Sequence, residues 1–93
     1  MYASVRRYAG NTELARELSS RVDDVRSVIA GISGFRAYYL IDAGGDSVTV
    51  SIFDDESGAS QSNEAAAAYL KENLPDLAAT PPEISAGEVV FSL

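Results

Sequence analysis

The spacing of apolar residues predicts a first helix that begins after Asn11. Six apolar positions follow one another at steps of three or four residues, as in the stripe of an amphipathic helix: Leu14, Leu18, Val22, Val25, Ile29 and Ile32. Asn11 is a good N-cap just before this stripe, and Gly31 and Gly34 provide a stop after it. The pattern therefore predicts one continuous helix.

A second helix is predicted after Phe53. Three polar side chains at its start can cap it, namely Asp54, Asp55 and Ser57. The alanine run over residues 65–68 favours helix, and the approach to Pro75 predicts an end near Asn73. The predicted face toward the sheet carries one polar residue among apolar ones: Ala59, Asn63, Ala66, Leu70 and Leu74.

Four short segments rich in β-branched and aromatic residues are predicted to be strands: 2–8, 35–41, 48–53 and 84–93. The last of them is densest in such residues at positions 89–91. Gly44 and Gly45 lie between the second and third segments, and a Gly-Gly pair can take positive φ at both central positions of a type I′ turn. An antiparallel hairpin is therefore expected there.

The two-residue loop fixes the register of this hairpin, because a slip by one residue would exchange its faces. One face receives three apolar pairs: Ile41 with Val48, Tyr39 with Val50, and Ala37 with Ile52. The other receives more polar pairs: Asp42 with Ser47, Leu40 with Thr49, Tyr38 with Ser51, and Arg36 with Phe53. We expect the first face under the helices, with Tyr39 and Phe35 in the core. We expect the second face, joined by Ser4, Arg6 and Tyr8, to be left uncovered.

The order of these elements predicts the fold. Strand, helix, two strands, helix and strand is the split βαβ pattern of an α+β, ferredoxin-like βαββαβ domain. It gives a four-stranded antiparallel sheet with both helices on one face, and residues 1–93 form a single domain. One sheet face then has no cover within the chain, so a homodimer that packs through this face is expected.

Three segments carry a resemblance to a known family. The strand at 2–8, the stretch 34–39, and the strand at 48–54 that leads into an alanine-rich helix resemble the antibiotic-biosynthesis-monooxygenase-like (ABM) domains of the dimeric α/β-barrel group. The resemblance implies a barrel-like homodimer with a small cavity between sheet and helices. Enzymes of this family include cofactor-free monooxygenases that act on aromatic polyketides, and haem-degrading enzymes that use a histidine, an asparagine and a tryptophan.

The composition removes several kinds of chemistry. The chain has no cysteine, histidine or tryptophan, so it lacks thiolate metal sites, the usual haem ligand, and the histidine and tryptophan of the haem degraders. No cofactor and no metal site are expected. A net charge of −7 argues against nucleic acid and anionic membrane surfaces as partners. No apolar run suggests a signal peptide or a membrane span, and the expected location is the cytoplasm.

The candidate ligand-binding residues are those of the more polar sheet face together with one helical amide: Arg6, Tyr8, Arg36, Tyr38, Thr49, Ser51, Phe53 and Asn63. Phenols, hydroxyls and an arginine could bind an anionic aromatic ligand, but a semi-polar dimer interface explains the same face and is the favoured interpretation. Asn63 is a weak catalytic candidate whose amide could orient a ligand carbonyl or activate oxygen. Alternatively, it bonds to backbone or a buried water.

Two main functions remain. The first is a homodimeric ABM-like module that binds a small, partly apolar or aromatic ligand without haem or metal. The second is a cofactor-independent monooxygenase that acts on an anthrone- or quinol-like substrate, with Asn63 and a tyrosine as the actors. A third possibility is pairing with another protein through a sheet edge, for which the sequence names no partner.

Overall fold

Strands and helices follow one another in the predicted βαββαβ order. A computed structural model describes residues 1–93. Its strands are β1 (Tyr2–Tyr8), β2 (Phe35–Asp42), β3 (Ser47–Phe53) and β4 (Glu83–Glu88). Its helices are α1 (Thr12–Ser19), α2 (Val22–Val25), which continues into a π-helical turn (Arg26–Ala30), and α3 (Glu56–Asn73), which is followed by a 3₁₀ turn (Pro75–Leu77).

The four strands form one antiparallel sheet in the order β2-β3-β1-β4. The helices cover one face of this sheet, which is the arrangement of a ferredoxin-like α+β domain. The predicted fold class is therefore confirmed. No helix combines the length and the apolar character needed to cross a membrane.

The register of the β2–β3 hairpin follows the prediction over most of its length. Ile41 pairs with Val48, and Tyr39 pairs with Val50. The predicted pair of Arg36 with Phe53 is wrong, because an irregularity between Phe35 and Ala37 places Phe35 opposite Phe53. The turn type is also wrong: among its two glycines only Gly44 has a positive φ, of 79°, whereas a type I′ turn requires it at both.

The prediction of which sheet face the helices cover is wrong. The covered face carries Ser4, Arg6 and Tyr8 from β1 and Ser47, Thr49, Ser51 and Phe53 from β3, all buried. The apolar face is the uncovered one, where Tyr39 is 57% and Ile41 42% exposed. Alternation tells which side chains share a face, but polar side chains can lie inside when they hydrogen-bond to one another, as these do.

The apolar core is divided into two clusters, one at each end of the covered face. Tyr8, Leu14, Leu18 and Leu70 form the first, and Ile29, Phe53 and Ala59 form the second. Along β1, the two residues that lie between these clusters on the covered face are Ser4 and Arg6. A polar layer therefore separates the two apolar clusters.

The predicted first helix is broken into α1 and α2. Ser19 and Ser20 donate their hydroxyls to the carbonyl oxygens of Arg16 and Glu17, at 2.6 and 2.8 Å, and so bond groups at the end of α1. The apolar stripe continues across this break, but Val22 is 54% exposed. The spacing of apolar residues did not reveal the break, because it depends on serine side chains that lie outside the stripe.

The prediction of the second helix is confirmed at both ends. Asp55 caps α3 by accepting a hydrogen bond from the Gly58 backbone N–H at 3.1 Å, and the helix ends at Asn73. Gly58 has a packing role, since a Cβ atom there would lie 2.7 Å from Cδ2 of Phe53. The absence of a side chain at Gly58 therefore lets α3 approach β3 closely.

The last strand lies earlier in the chain than predicted. Strand β4 ends at Glu88, and only the Val89 N–H, which donates to the Met1 carbonyl at 2.8 Å, extends its pairing with β1. Residues Val90, Phe91 and Leu93 are largely exposed. Strand β4 is an edge strand with β1 as its single neighbour, and their pairing ends with Tyr2 opposite Glu88.

Candidate functional site

A buried arginine organises the polar layer between sheet and helices. Arg6 is 1% exposed and points from β1 toward α3. Its Nε donates to Thr49 Oγ1 at 2.8 Å and its Nη2 donates to Ser51 Oγ at 2.7 Å, both on the neighbouring strand β3. Its Nη1 donates across to α3, to Asn63 Oδ1 at 2.8 Å and Ser62 Oγ at 3.3 Å. The guanidinium therefore ties the sheet to α3.

Asn63 is held by two donors from β1. Its Oδ1 accepts the Arg6 bond and a second hydrogen bond from Ser4 Oγ at 2.7 Å. An arginine can only donate, so the amide oxygen must face the guanidinium, and the Nδ2 group faces away from it. The orientation of this amide is thus set by its neighbours, and its two N–H donors are available to a ligand.

Two tyrosines border the same guanidinium, and burial dominates their titration. Burial raises the pKa of the Tyr8 hydroxyl above its ordinary value of 10.0, while the Arg6 charge acts in the opposite direction. Burial likewise raises the pKa of Tyr38, against the lowering effects of the nearby Arg6 and Thr49 side chains. Both phenols are therefore neutral hydrogen-bonding groups at pH 7.

A cavity of about 470 Å³ opens beside Arg6, between α3, the loop that follows it, and the β1–β4 edge. Arg6, Tyr8 and Asn63 contribute polar groups to its wall, and Lys71 lies at the same wall. The rest of the lining is mostly apolar or small: Ala67, Leu70, Pro75, Ala78, Thr80, Pro81, Pro82 and Ile84. An apolar cavity with a few convergent polar groups is the usual form of a small-molecule site.

A second cavity, of about 330 Å³, lies on the other side of the covered face. It is lined mainly by apolar residues of α1, α2, the π-helical turn and β2, including Leu18, Val25, Ile29 and Leu40. Tyr38 lies in its wall and also borders a small space, of about 20 Å³, next to Arg6. Neither Arg6 nor Asn63 lines this second cavity, and the arginine that does, Arg26, is exposed and paired with Asp23. The cavity beside Arg6 is therefore the better candidate site.

The structure brings together six of the eight candidate residues. Arg6, Tyr8, Tyr38, Thr49, Ser51 and Asn63 lie around the guanidinium. Arg36 lies apart at the irregularity in β2, where it is half exposed and paired with Asp54. Phe53 is also apart: it is fully buried and packs edge-on against Phe35, with ring centroids 5.7 Å apart.

Sequence reasoning missed three contributors. Ser62 accepts from Arg6 and donates to the Ala59 carbonyl at 2.7 Å, and Ala67 and Lys71 line the cavity. Their spacing contained a signal, since Lys71, Ala67 and Asn63 stand four residues apart and so share one side of α3. The alanine run obscured this relation, because the sequence does not distinguish Ala67 from the alanines on either side of it.

The acidic side chains do not gather into a metal site. No group of three or more histidine, cysteine, aspartate or glutamate side chains could hold an ion. At the start of α3, Asp55 serves as the cap and Asp54 pairs with Arg36. These carboxylates therefore have structural partners.

Comparisons with known proteins find similarity in three dimensions only. No family model and no curated protein matches the sequence. Among solved structures, NE2512, a protein of unknown function from Nitrosomonas europaea, matches at 22% identity with a TM-score of 0.74, over 99% of this chain and 91% of the other. The monooxygenase ActVA-Orf6 of Streptomyces coelicolor, solved with nanaomycin D, matches at 15% identity with a TM-score of 0.69, over 99% and 89%.

A dimeric ferredoxin-like protein from an uncultured marine organism matches at 19% identity with a TM-score of 0.62, over 99% of this chain and 95% of the other. Other matching structures are named as antibiotic biosynthesis monooxygenases or as a cofactor-independent oxygenase. At these identities the likeness shows the fold. The chain therefore has the ferredoxin-like fold of the ABM-like proteins, which it was predicted to resemble.

Proposed function

We propose that this protein is a homodimeric binding module that holds a small, partly apolar or aromatic molecule in the cavity beside Arg6, without haem or metal. The observation that carries the proposal is the cavity itself. The polar residues Arg6, Tyr8, Asn63 and Lys71 line a space whose other lining residues are mostly apolar or small. The volume, about 470 Å³, lies in the usual range for small-molecule sites.

The homodimer is part of this proposal, because the uncovered sheet face needs a cover. Tyr39, Ile41, Val48, Val50 and Ile52 lie on this face, and they lie in register on adjacent strands. Arg7 lies on the same face and pairs with Asp46 and Glu83 at 2.8 and 3.1 Å. An apolar centre with charged residues at its margin is typical of a protein–protein interface. The dimeric neighbour supports the same assembly.

Ligand binding can be tested by thermal unfolding with a panel of naphthalene, anthracene and quinone compounds. A ligand at a hundred times its dissociation constant adds about 2.7 kcal/mol of stability, which corresponds to a rise of at least ~10 °C for a domain of this size. The matched control is Ala67→Trp, because Ala67 lines the cavity and a tryptophan side chain there should fill it. Stabilisation of the wild type but not of the variant is expected. The absence of stabilisation by every compound would contradict binding.

The alternative function is a cofactor-independent monooxygenase acting on an anthrone- or quinol-like substrate. The oriented amide of Asn63 favours it, because two N–H donors that face a cavity can stabilise a negative oxygen as it forms. The monooxygenase among the structural neighbours gives the same indication. Oxygen uptake with a model anthrone should then exceed the uncatalysed rate and fall on Asn63→Ala. A rate equal to the uncatalysed one, or unchanged in the variant, argues for binding alone.

A further inference from the structure

The Arg6 side chain carries a buried charge that no carboxylate of this chain balances. Its four hydrogen-bond partners, Thr49, Ser51, Ser62 and Asn63, are all neutral. The four ion pairs of the protein belong to other arginines, namely Arg7, Arg26 and Arg36. Buried charges in proteins are normally paired, because moving an isolated ion out of water is costly.

This guanidinium stays charged despite its burial. Burial lowers its pKa below the ordinary value, but arginine does not lose its proton in proteins. Its interior charge is therefore fixed at +1, and hydrogen bonds to hydroxyls and an amide solvate it without neutralising it. A ligand that enters the adjacent cavity meets this charge in surroundings of low dielectric, where it acts more strongly than in water.

The cavity beside Arg6 differs in charge from the rest of the protein. The chain has 14 acidic and 7 basic residues. The cavity lining nevertheless contains two cations, Arg6 and Lys71, and no aspartate or glutamate. Neutral donors add to this bias, since Asn63 turns its Nδ2 group away from Arg6 and the Tyr8 hydroxyl is neutral at pH 7. The wall therefore offers positive charge and hydrogen-bond donors to whatever binds there.

We propose that the cavity selects molecules that carry a single negatively charged oxygen group on an apolar body. Arg6 would supply the countercharge, and Asn63, oriented by Arg6, would supply hydrogen bonds to the oxygen. This inference rests on the proposed binding function and deepens it by naming the ligand's charge. Both an aromatic carboxylate and an ionised phenol or enol have this chemistry.

A pair of fluorescent probes that differ by one charge tests the proposal. 8-Anilinonaphthalene-1-sulfonate is the sulfonate of the neutral N-phenyl-1-naphthylamine, so titrating each into the full chain isolates the contribution of the anion. The wild type is expected to bind the sulfonate at least about tenfold more tightly, since a hydrogen bond to a charged group contributes roughly 1.5–3 kcal/mol. Displacement by 1-naphthoate, and weaker displacement by 1-naphthamide or neutral 1-naphthol, extends the test to oxygen anions. Displacement by 1-naphthol that strengthens above the pKa of the free naphthol identifies phenolates as further ligands.

Two variants locate the effect at the proposed residues. Arg6→Met should abolish the preference for the sulfonate, so that the folded variant binds the two probes with similar affinity. If Arg6→Met does not fold, Asn63→Leu is the second test. It removes the N–H donors of Asn63 but keeps the Arg6 charge, and it should reduce the preference for the sulfonate at least about threefold. Ala67→Trp should abolish binding of both probes, which places them in the cavity.

The outcomes separate the two claims. If neither probe binds the wild type at all, the proposed binding function fails. If the neutral probe binds as tightly as the anion, or if the preference survives in a folded Arg6→Met protein, the cavity binds ligands but the charge selection is wrong. If naphthoate and naphthamide displace the probe equally well, selection for oxygen anions is wrong as well.

Discussion

The two faces of the sheet differ in polarity, and hydrophobicity alone predicts the wrong one to lie under the helices. The face under the helices carries serines, a threonine and an arginine between two apolar clusters, whereas the face without helices carries valines, isoleucines and a tyrosine. The polar side chains are stable inside because each finds a partner, and no buried side-chain polar atom lacks one. The apolar face has no such solution within the chain, and in the proposed homodimer a second copy covers it.

The largest effect is expected from a charge placed at the middle of the uncovered face. Val50→Glu would bury a carboxylate between two sheets, and we expect the dimer to weaken by roughly 3 kcal/mol or more, about a hundredfold in its dissociation constant. Sedimentation equilibrium measures this change. Ser60→Glu, an exposed position on α3, introduces the same charge and should leave the dimer intact. Dimers of equal strength in both variants would show that the interface lies elsewhere.

The second effect comes from making the covered face more apolar. Thr49→Val preserves the shape of the side chain but removes the oxygen that accepts from Arg6 Nε, and we expect a loss of about 1–3 kcal/mol in unfolding free energy. The reverse change on the other face, Val48→Thr, is the matched control. Both are best measured by urea unfolding in the Val50→Glu monomer, where Val48→Thr should cost less than Thr49→Val. A more stable Thr49→Val protein would contradict the role given to the polar layer.

A third effect concerns how closely α3 approaches the sheet. Gly58→Ala places a Cβ atom 2.7 Å from the ring of Phe53, which is itself held by Phe35. Overpacking should outweigh the gain in helix propensity and destabilise the protein by about 1–2 kcal/mol, measured by thermal unfolding. Gly87→Ala on the uncovered face meets no atom within 4 Å and should change stability less. Partial rescue of Gly58→Ala by Phe53→Leu would identify the clash as the cause.

The smallest effect is expected at the margin of the uncovered face and depends on pH. Asp46 accepts a hydrogen bond from the Gly10 N–H at 2.8 Å and pairs with Arg7, and these contacts lower its pKa from 3.8. A group whose pKa is lower in the folded state adds stability above its unfolded pKa and loses it as the pH falls through the folded pKa. Asp46→Asn should therefore be less stable than the wild type at pH 6, and the difference should shrink as the pH falls below 3.8. A constant difference over this range would contradict the assignment.

The sequence predicted the parts of the fold that depend on local pattern. The hairpin register followed from Gly44 and Gly45, and both ends of α3 followed from Asp55 and Pro75. The break between α1 and α2 was not predictable from the apolar stripe, because the serines that bond the end of α1 lie outside it. The alternating pattern also could not decide which sheet face lies under the helices, since both faces would be buried in the proposed dimer.

Some members of the candidate site were predictable from the sequence, but its arrangement was not. Arg6, Tyr8, Tyr38 and Asn63 were each selected for their chemistry, yet Arg6 was assigned to the uncovered sheet face and Asn63 to the helix face toward the sheet, on opposite sides of the sheet. That Arg6 fixes the amide of Asn63 depends on the distance between β1 and α3, which small residues such as Gly58 and Ser62 permit. Contacts between distant segments of this kind leave no periodic trace in the sequence.

Native mass spectrometry of the purified chain tests the central claim most directly. The account predicts that the apolar sheet face is covered by a second copy, so the wild-type spectrum at micromolar concentration should show mainly twice the mass of one chain. The Val50→Glu variant should show mainly one chain while remaining folded. A wild type that is monomeric at this concentration would contradict the account, because the apolar face would then stand uncovered in water.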